Sequence, residues 1–168
     1  DFIRLESGEE GYVDKIGWRT TWIRMLPNNM LIIPNKQLVS SRVINYHYPS
    51  KEVALVIPVG VHYNSDLAKV ERVTVEVAEK IQKQVTGAVQ DFKPFVRFHT
   101  FNNSSIDFSI ILRAQEFTDT FLMKHEFLKA LHARYAQEGI VIPFPITAIN
   151  LDQERAAAAL HPAPGTPA

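Results

Sequence analysis

The chain has 168 residues, no cysteine, eighteen basic and eighteen acidic side chains, and six histidines. That balance leaves no net field to gather a polyanion or an anionic membrane surface, and the lack of thiols excludes disulfide frameworks, thiolate nucleophiles and cysteine-ligated zinc. With 46% hydrophobic residues the chain can bury one large or two small cores, and no run approaches the ~20 apolar residues that cross a bilayer, so this piece is expected to be soluble.

The chain opens on Asp1-Phe2-Ile3-Arg4, a strand-like start without methionine or a signal-peptide layout, as expected of a piece cut from a longer chain. Residues 1–49 hold short apolar and β-branched runs separated by turn chemistry at Ser7-Gly8, Gly11, Gly17 and Pro27-Asn28-Asn29, with Glu9-Glu10 read as a turn. The pattern predicts a small all-β domain, a curved antiparallel sheet or open barrel of Sm-like type. Pro27-Asn28-Asn29 should turn a hairpin between residues 20–26 and 30–33. The strand ending Ile32-Ile33-Pro34-Asn35 must stop at Pro34, which has no N–H for a ladder, and an Asx-type turn is the simplest sequel. A unit below roughly 60 residues buries little surface, so this one should lean on a neighbour or on copies of itself.

Tyr46-His47-Tyr48-Pro49-Ser50-Lys51 reads as a short joint, because Pro49 drives Tyr48 out of helical geometry. Residues 53–61 form a nearly continuous apolar run, as expected of a strand buried on both faces, though Pro58 argues for an edge or a bulge. Ser65 or Asp66 should cap a helix through Leu67, Val70, Val73, Val77 and Ile81, with Gly87 beyond its end. Two strands follow at residues 95–101 and 105–113, joined by Asn102-Asn103-Ser104, with Ile106, Phe108, Ile110 and Leu112 on the helix-covered face. A second helix from Thr118 or Asp119 should bury Phe121, His125, Leu128, Leu131 or His132, and Tyr135, and end at Gly139. With a last strand in or just after residues 140–151, residues 50–145 make a ferredoxin-like α+β domain: a four-stranded sheet with both helices on one face. Gly139-Ile140-Val141-Ile142-Pro143-Phe144-Pro145 cuts an apolar run twice with proline, forcing a stiff extended path. Residues 153–168, with Ala156 to Ala159 and then Pro162, Pro164, Gly165 and Pro167, are expected to be a disordered tail.

Candidate chemistry is sparse. His125 and His132 lie seven apart on one helix, and His47, His62, His99 and His161 sit in separate segments, so packed or surface histidines are favoured over a metal site. Asp107 lies mid-strand on the face away from the core, where a solvated carboxylate is the simplest reading. No nucleophile elbow, phosphate-cradling glycine loop or metalloprotease helix motif is present. No enzyme, cofactor or metal is therefore expected. Phe95-Val96-Arg97-Phe98-His99-Thr100-Phe101 has a composition that could stack bases, which keeps open a nucleic-acid-binding module of small β-barrel and ferredoxin-like domain. It lacks the glycine and aromatic pattern of the usual RNA-recognition strand, and the zero net charge opposes it.

Gly11-Tyr12-Val13-Asp14-Lys15-Ile16, Arg19-Thr20-Thr21, Ile32-Ile33-Pro34-Asn35, Val43-Ile44-Asn45 and Gly139 to Pro145, in this order, resemble the small-conductance mechanosensitive channels of MscS type. The resemblance covers residues 1 to about 151 and only the family's soluble cytoplasmic part. It implies that Pro34, Asn35 and Asn45 are motif residues of a β-domain beneath the membrane. It also implies that Pro143, Phe144 and Pro145 form a hinge into residues 146–152. There Ile146, Thr147, Ala148, Ile149, Asn150 and Leu151 would join symmetry mates in a parallel oligomer barrel. The implied partners are six further copies of the chain in a heptamer, a lipid membrane reached through upstream helices, and permeating ions and small osmolytes, with no nucleic acid. The implied place is the cytoplasmic side of the inner membrane. Physics supports the ring independently, since one strand from each copy leaves no unpaired edge.

Overall fold

A computed structural model describes residues 1–144. Along them run β1 (Phe2–Leu5), β2 (Glu10–Ile16), β3 (Thr20–Met25), β4 (Met30–Pro34), α1 (Asn35–Ser40) and β5 (Val43–Asn45). After the joint come β6 (Val53–Val61), α2 (Leu67–Gln84), β7 (Phe95–Phe101), β8 (Ile106–Ala114) and α3 (Asp119–Glu138). The fold is α+β, with two antiparallel sheets.

The first sheet has the order β4-β3-β2-β1-β5, and β4 and β5 lie at opposite ends of it. Its hairpins follow the turn chemistry. Asn28 takes a left-handed φ of 66°, and Met25 N donates to Asn29 O at 2.9 Å between β3 and β4. Glu10 belongs to β2 rather than to the preceding turn, since it pairs with Arg4. One face buries Ile3, Leu5, Ile23 and Ile33, with Val13, Leu31 and Leu38 packed against them. Leu38 arrives on α1, a short helix where the sequence suggested only a turn. Pro34 starts it well, because its fixed φ of −60° suits a helix entrance and its missing N–H would have no partner there.

The second sheet has the order β6-β8-β7. Central β8 alternates, burying Ile106, Phe108, Ile110, Leu112 and Ala114 under α2 and α3. Asp66 caps α2, its carboxylate accepting from the Ala68 and Lys69 amides, and Val70, Val73, Val77, Ala78 and Ile81 face the sheet. The buried polar side chains Gln82 and Thr74 in this core are paired. Gln82 Nε2 donates to Val89 O and Arg113 O at 2.6 Å each, and Thr74 Oγ1 lies 2.5 Å from Tyr135 Oη and 2.7 Å from Val70 O.

Two expectations change. β6 is an edge strand among the described residues, in keeping with Pro58, but it buries only one face: Leu55, Ile57 and Val61 point inward while Val56 is exposed. In α3 the buried row is Thr120, Met123, Phe127, Leu131 and Tyr135, whereas Phe121, His125, Leu128 and His132 are exposed. The second sheet has three strands among the described residues; the fourth, expected in or just after residues 140–151, falls largely outside them. Residues 140–144 belong to no helix or strand; His62 N donates to Val141 O at 3.1 Å and Ile140 N to Tyr135 O at 2.9 Å. Pro143 removes a donor there. Residues 145–168, which include Pro145, the expected barrel strand 146–151 and the tail, lie outside the described residues.

Candidate functional site

Pro34, Asn35 and Asn45 do not form one site. Pro34 closes β4, paired with Thr20, and Asn35 next to it clamps the turn between β2 and β3. Asn35 Nδ2 donates to Gly17 O at 2.8 Å, its Oδ1 accepts from Thr21 Oγ1 at 2.8 Å, and its amide donates to Arg19 O at 2.8 Å. Asn45 stands on β5, at the other end of the sheet order, paired with Ile3. Its Oδ1 accepts from His47 N at 2.9 Å, and its Nδ2 donates to Asp1 Oδ2 at 3.1 Å. The first pair fixes a hairpin tip; Asn45 fixes the start of the joint.

The joint closes on an aromatic stack between the two sheets. Tyr46 lies on Phe117 with ring centres 4.2 Å apart, and Phe117 lies on fully buried Phe2 at 5.2 Å. Tyr12 meets Phe2 edge-on at 4.9 Å, and its hydroxyl is 3.3 Å from Thr118 Oγ1. Charged groups line the same seam. Lys51 Nζ donates to Glu116 Oε1 at 2.8 Å, and His47 reaches toward Glu116 and Asp1. The hydrogen bond from Lys51 holds the Glu116 carboxyl below the usual range, and Glu116 in turn raises Lys51. Sequence reading missed this cluster, because its members come from residues 1, 2, 12, 46, 47, 51 and 116–118.

A second network aims the chain leaving α3. Lys69 Nζ donates to Glu138 O at 2.7 Å and pairs with its carboxylate at 3.3 Å, while Arg134 bridges Glu138 Oε1 at 3.0 Å and Glu76 Oε2 at 2.8 Å. Gly139 then turns left-handed at φ 68°, and Ile140 N donates back to Tyr135 O at 2.9 Å. Pro143 is half-buried and Phe144 is exposed where the described residues end.

The first sheet also shows apolar surface. Trp22 and Ile32 face each other across β3 and β4 and are both exposed, and Trp18 is 83% exposed with the Arg19 guanidinium 4.0 Å over its ring. The arrangement thus combines a clamped turn, a joint closed by stacked aromatic rings, a bonded chain exit from α3 and an exposed apolar face.

The family model described as "Mechanosensitive ion channel, beta-domain" matches residues 1–48, and "Mechanosensitive ion channel MscS, C-terminal" matches residues 55–142. The chain is 35% identical over 109 residues to the mechanosensitive channel MscK of Escherichia coli (strain K12), covering 65% of this chain and 9% of that protein. It is 26% identical over 154 residues to the small-conductance mechanosensitive channel MscMJ of Methanocaldococcus jannaschii, covering 88% of this chain and 42% of that one. The chain thus spans about half, or less, of the length of these relatives. Among solved structures, Helicobacter pylori MscS in its closed state superposes with a TM-score of 0.72 at 21% identity, over 89% of this chain and 56% of that one. Arabidopsis thaliana MSL1 gives 0.62 at 16% identity, over 86% and 52%. At these identities the likeness shows the fold.

Proposed function

Because the chain belongs to the MscS family of mechanosensitive ion channels, we propose that it forms the cytoplasmic vestibule of a homo-oligomeric channel that opens under membrane tension. The observation that carries this reading is the succession of both family models, in order, over 1–48 and 55–142 on two antiparallel sheets. It takes precedence over the nucleic-acid alternative, which zero net charge already disfavoured.

In this reading residues 1–49 are the β-domain beneath the membrane, 50–145 the wall of the vestibule, 146–152 the barrel strand and 153–168 a tail. Seven copies close the ring. The exposed Trp22 and Ile32 pair supports burial against neighbouring copies, since a face of that kind on an isolated molecule invites association. Pro143, Phe144 and Pro145 act as the hinge that delivers residues 146–151 to a parallel barrel on the axis. Membrane helices in the rest of the full-length protein sense tension in the inner membrane and gate. Ions and small osmolytes leave through openings between copies during hypo-osmotic shock. Equal numbers of acids and bases favour weak charge selection by the vestibule.

Patch-clamp of liposomes holding the full-length protein that carries this chain tests the reading. Suction should evoke graded, reversible openings before the patch ruptures. Silence up to rupture, in patches where a reference tension-gated channel opens, would overturn it.

A further inference from the structure

His47 sits in the joint with its side chain 8% exposed, packed beside the Tyr12 ring with centres 6.2 Å apart. Its Nε2 is buried without a hydrogen-bond partner among the described residues and stands 3.8 Å from Glu116 Oε2; its Nδ1 is 4.0 Å from Asp1 Oδ1. The ring is thus held between two carboxylates at distances too long for hydrogen bonds. One belongs to the start of the chain and the other to the turn into α3, on the second sheet's side of the seam. We propose that His47 is a pH-dependent latch between the two sheets: neutral, it packs as part of the closed seam, and protonated, it loosens the joint. The idea goes beyond the channel reading and stands or falls without it.

The groups facing His47 set the direction. Burial disfavours the charged ring and lowers its proton affinity; Glu116 opposes this, while Lys51 adds to it. Glu116 stays ionised where a histidine titrates, because Lys51 holds its carboxyl low. Since the folded value lies below 6.5, stability contributed by neutral His47 is present above the unfolded value and is lost as pH falls through the folded one. Acidification from neutrality therefore weakens the seam, and the ring contact of Tyr46 with Phe117, centres 4.2 Å apart across it, reports its opening.

NMR titration of the histidine rings in the 168-residue chain, with His47→Gln to identify the signal, is the direct test. His47 should titrate below 6.5; Glu116→Gln should move it further down, and Lys51→Gln should move it up. In parallel, the cross-relaxation between the Tyr46 and Phe117 rings should weaken more in the wild-type chain than in His47→Gln between about pH 7.5 and about pH 5. Titration at or above 6.5, insensitivity to Glu116→Gln, or an identical pH response of the Tyr46–Phe117 ring contact in both chains would each overturn the latch. The ring titration in Glu116→Gln retains its force even if His47→Gln fails to fold.

Discussion

Tyr46 and Phe117 stack across the joint with ring centres 4.2 Å apart and planes 24° from parallel, tying the end of the first sheet to the turn that leads into α3. Phe117 also covers Phe2, so its removal opens the seam on two sides. Phe117→Ala should lower stability by about 2–4 kcal/mol, from lost burial plus lost ring contacts. Urea denaturation read separately in each sheet should show their transitions moving apart; a single transition with an unchanged midpoint would remove the seam's role.

Asn35→Ala deletes both side-chain bonds of the clamp and leaves the hydroxyl of Thr21, only 5% exposed, without its acceptor. The expected loss is about 1–3 kcal/mol, seen in the denaturant midpoint. Asn35→Asp keeps an acceptor for Thr21 but cannot donate to Gly17 O, so it should fall between the two. A neutral Asn35→Ala would mean that the clamp contributes nothing to stability.

Two glycines with positive φ separate strain from crowding. At Gly139, φ is 68° and a Cβ would meet nothing within 4 Å, so Gly139→Ala should cost only the backbone term, about 1 kcal/mol. At Gly87, φ is 85° and a Cβ would fall 2.3 Å from Asp119 Cγ. Gly87→Ala should therefore cost about 2–4 kcal/mol, strain and overpacking together. Equal melting-temperature losses for the two variants would contradict this account.

Burial pushes the Tyr135 hydroxyl up to about 12, against an ordinary value of 10.0, while Thr74 holds it by a hydrogen bond. Because the folded value is raised, the contribution of Tyr135 is whole below 10.0 and is lost as pH climbs through about 12. Denaturant stability should thus drop by about 2 kcal/mol more in the wild type than in Tyr135→Phe over that range. Parallel pH profiles for the two proteins would show that the hydroxyl ionises freely.

Legibility in the sequence followed the strength of local signals. α2 was readable because Asp66 caps it and Val70, Val73, Val77 and Ile81 share one side, so cap and periodicity agree. In α3 they compete: Phe121 and Leu128 form one apolar row, while Met123, Phe127 and Leu131 form another, and only packing on β8 selects the second. β6 reads as buried on both faces because Val56 is as apolar as Ile57, although Val56 faces outward in the isolated chain. Pro34 and Asn35 announced a strand end, yet the clamp on Gly17 and Thr21 needed the β3–β4 pairing before it could be seen. The seam was invisible for a different reason. Phe117 and Glu116 carry no pattern of their own and gain meaning only when the joint folds Tyr46, His47 and Lys51 onto them.

The proposal that this chain completes itself in a ring is tested most directly by native mass spectrometry of the full-length protein that carries it, released into mild detergent. The account predicts a predominant species of seven copies that persists on dilution. A protein that stays single, or stops at two copies, under conditions that leave its β-sheets folded would contradict it.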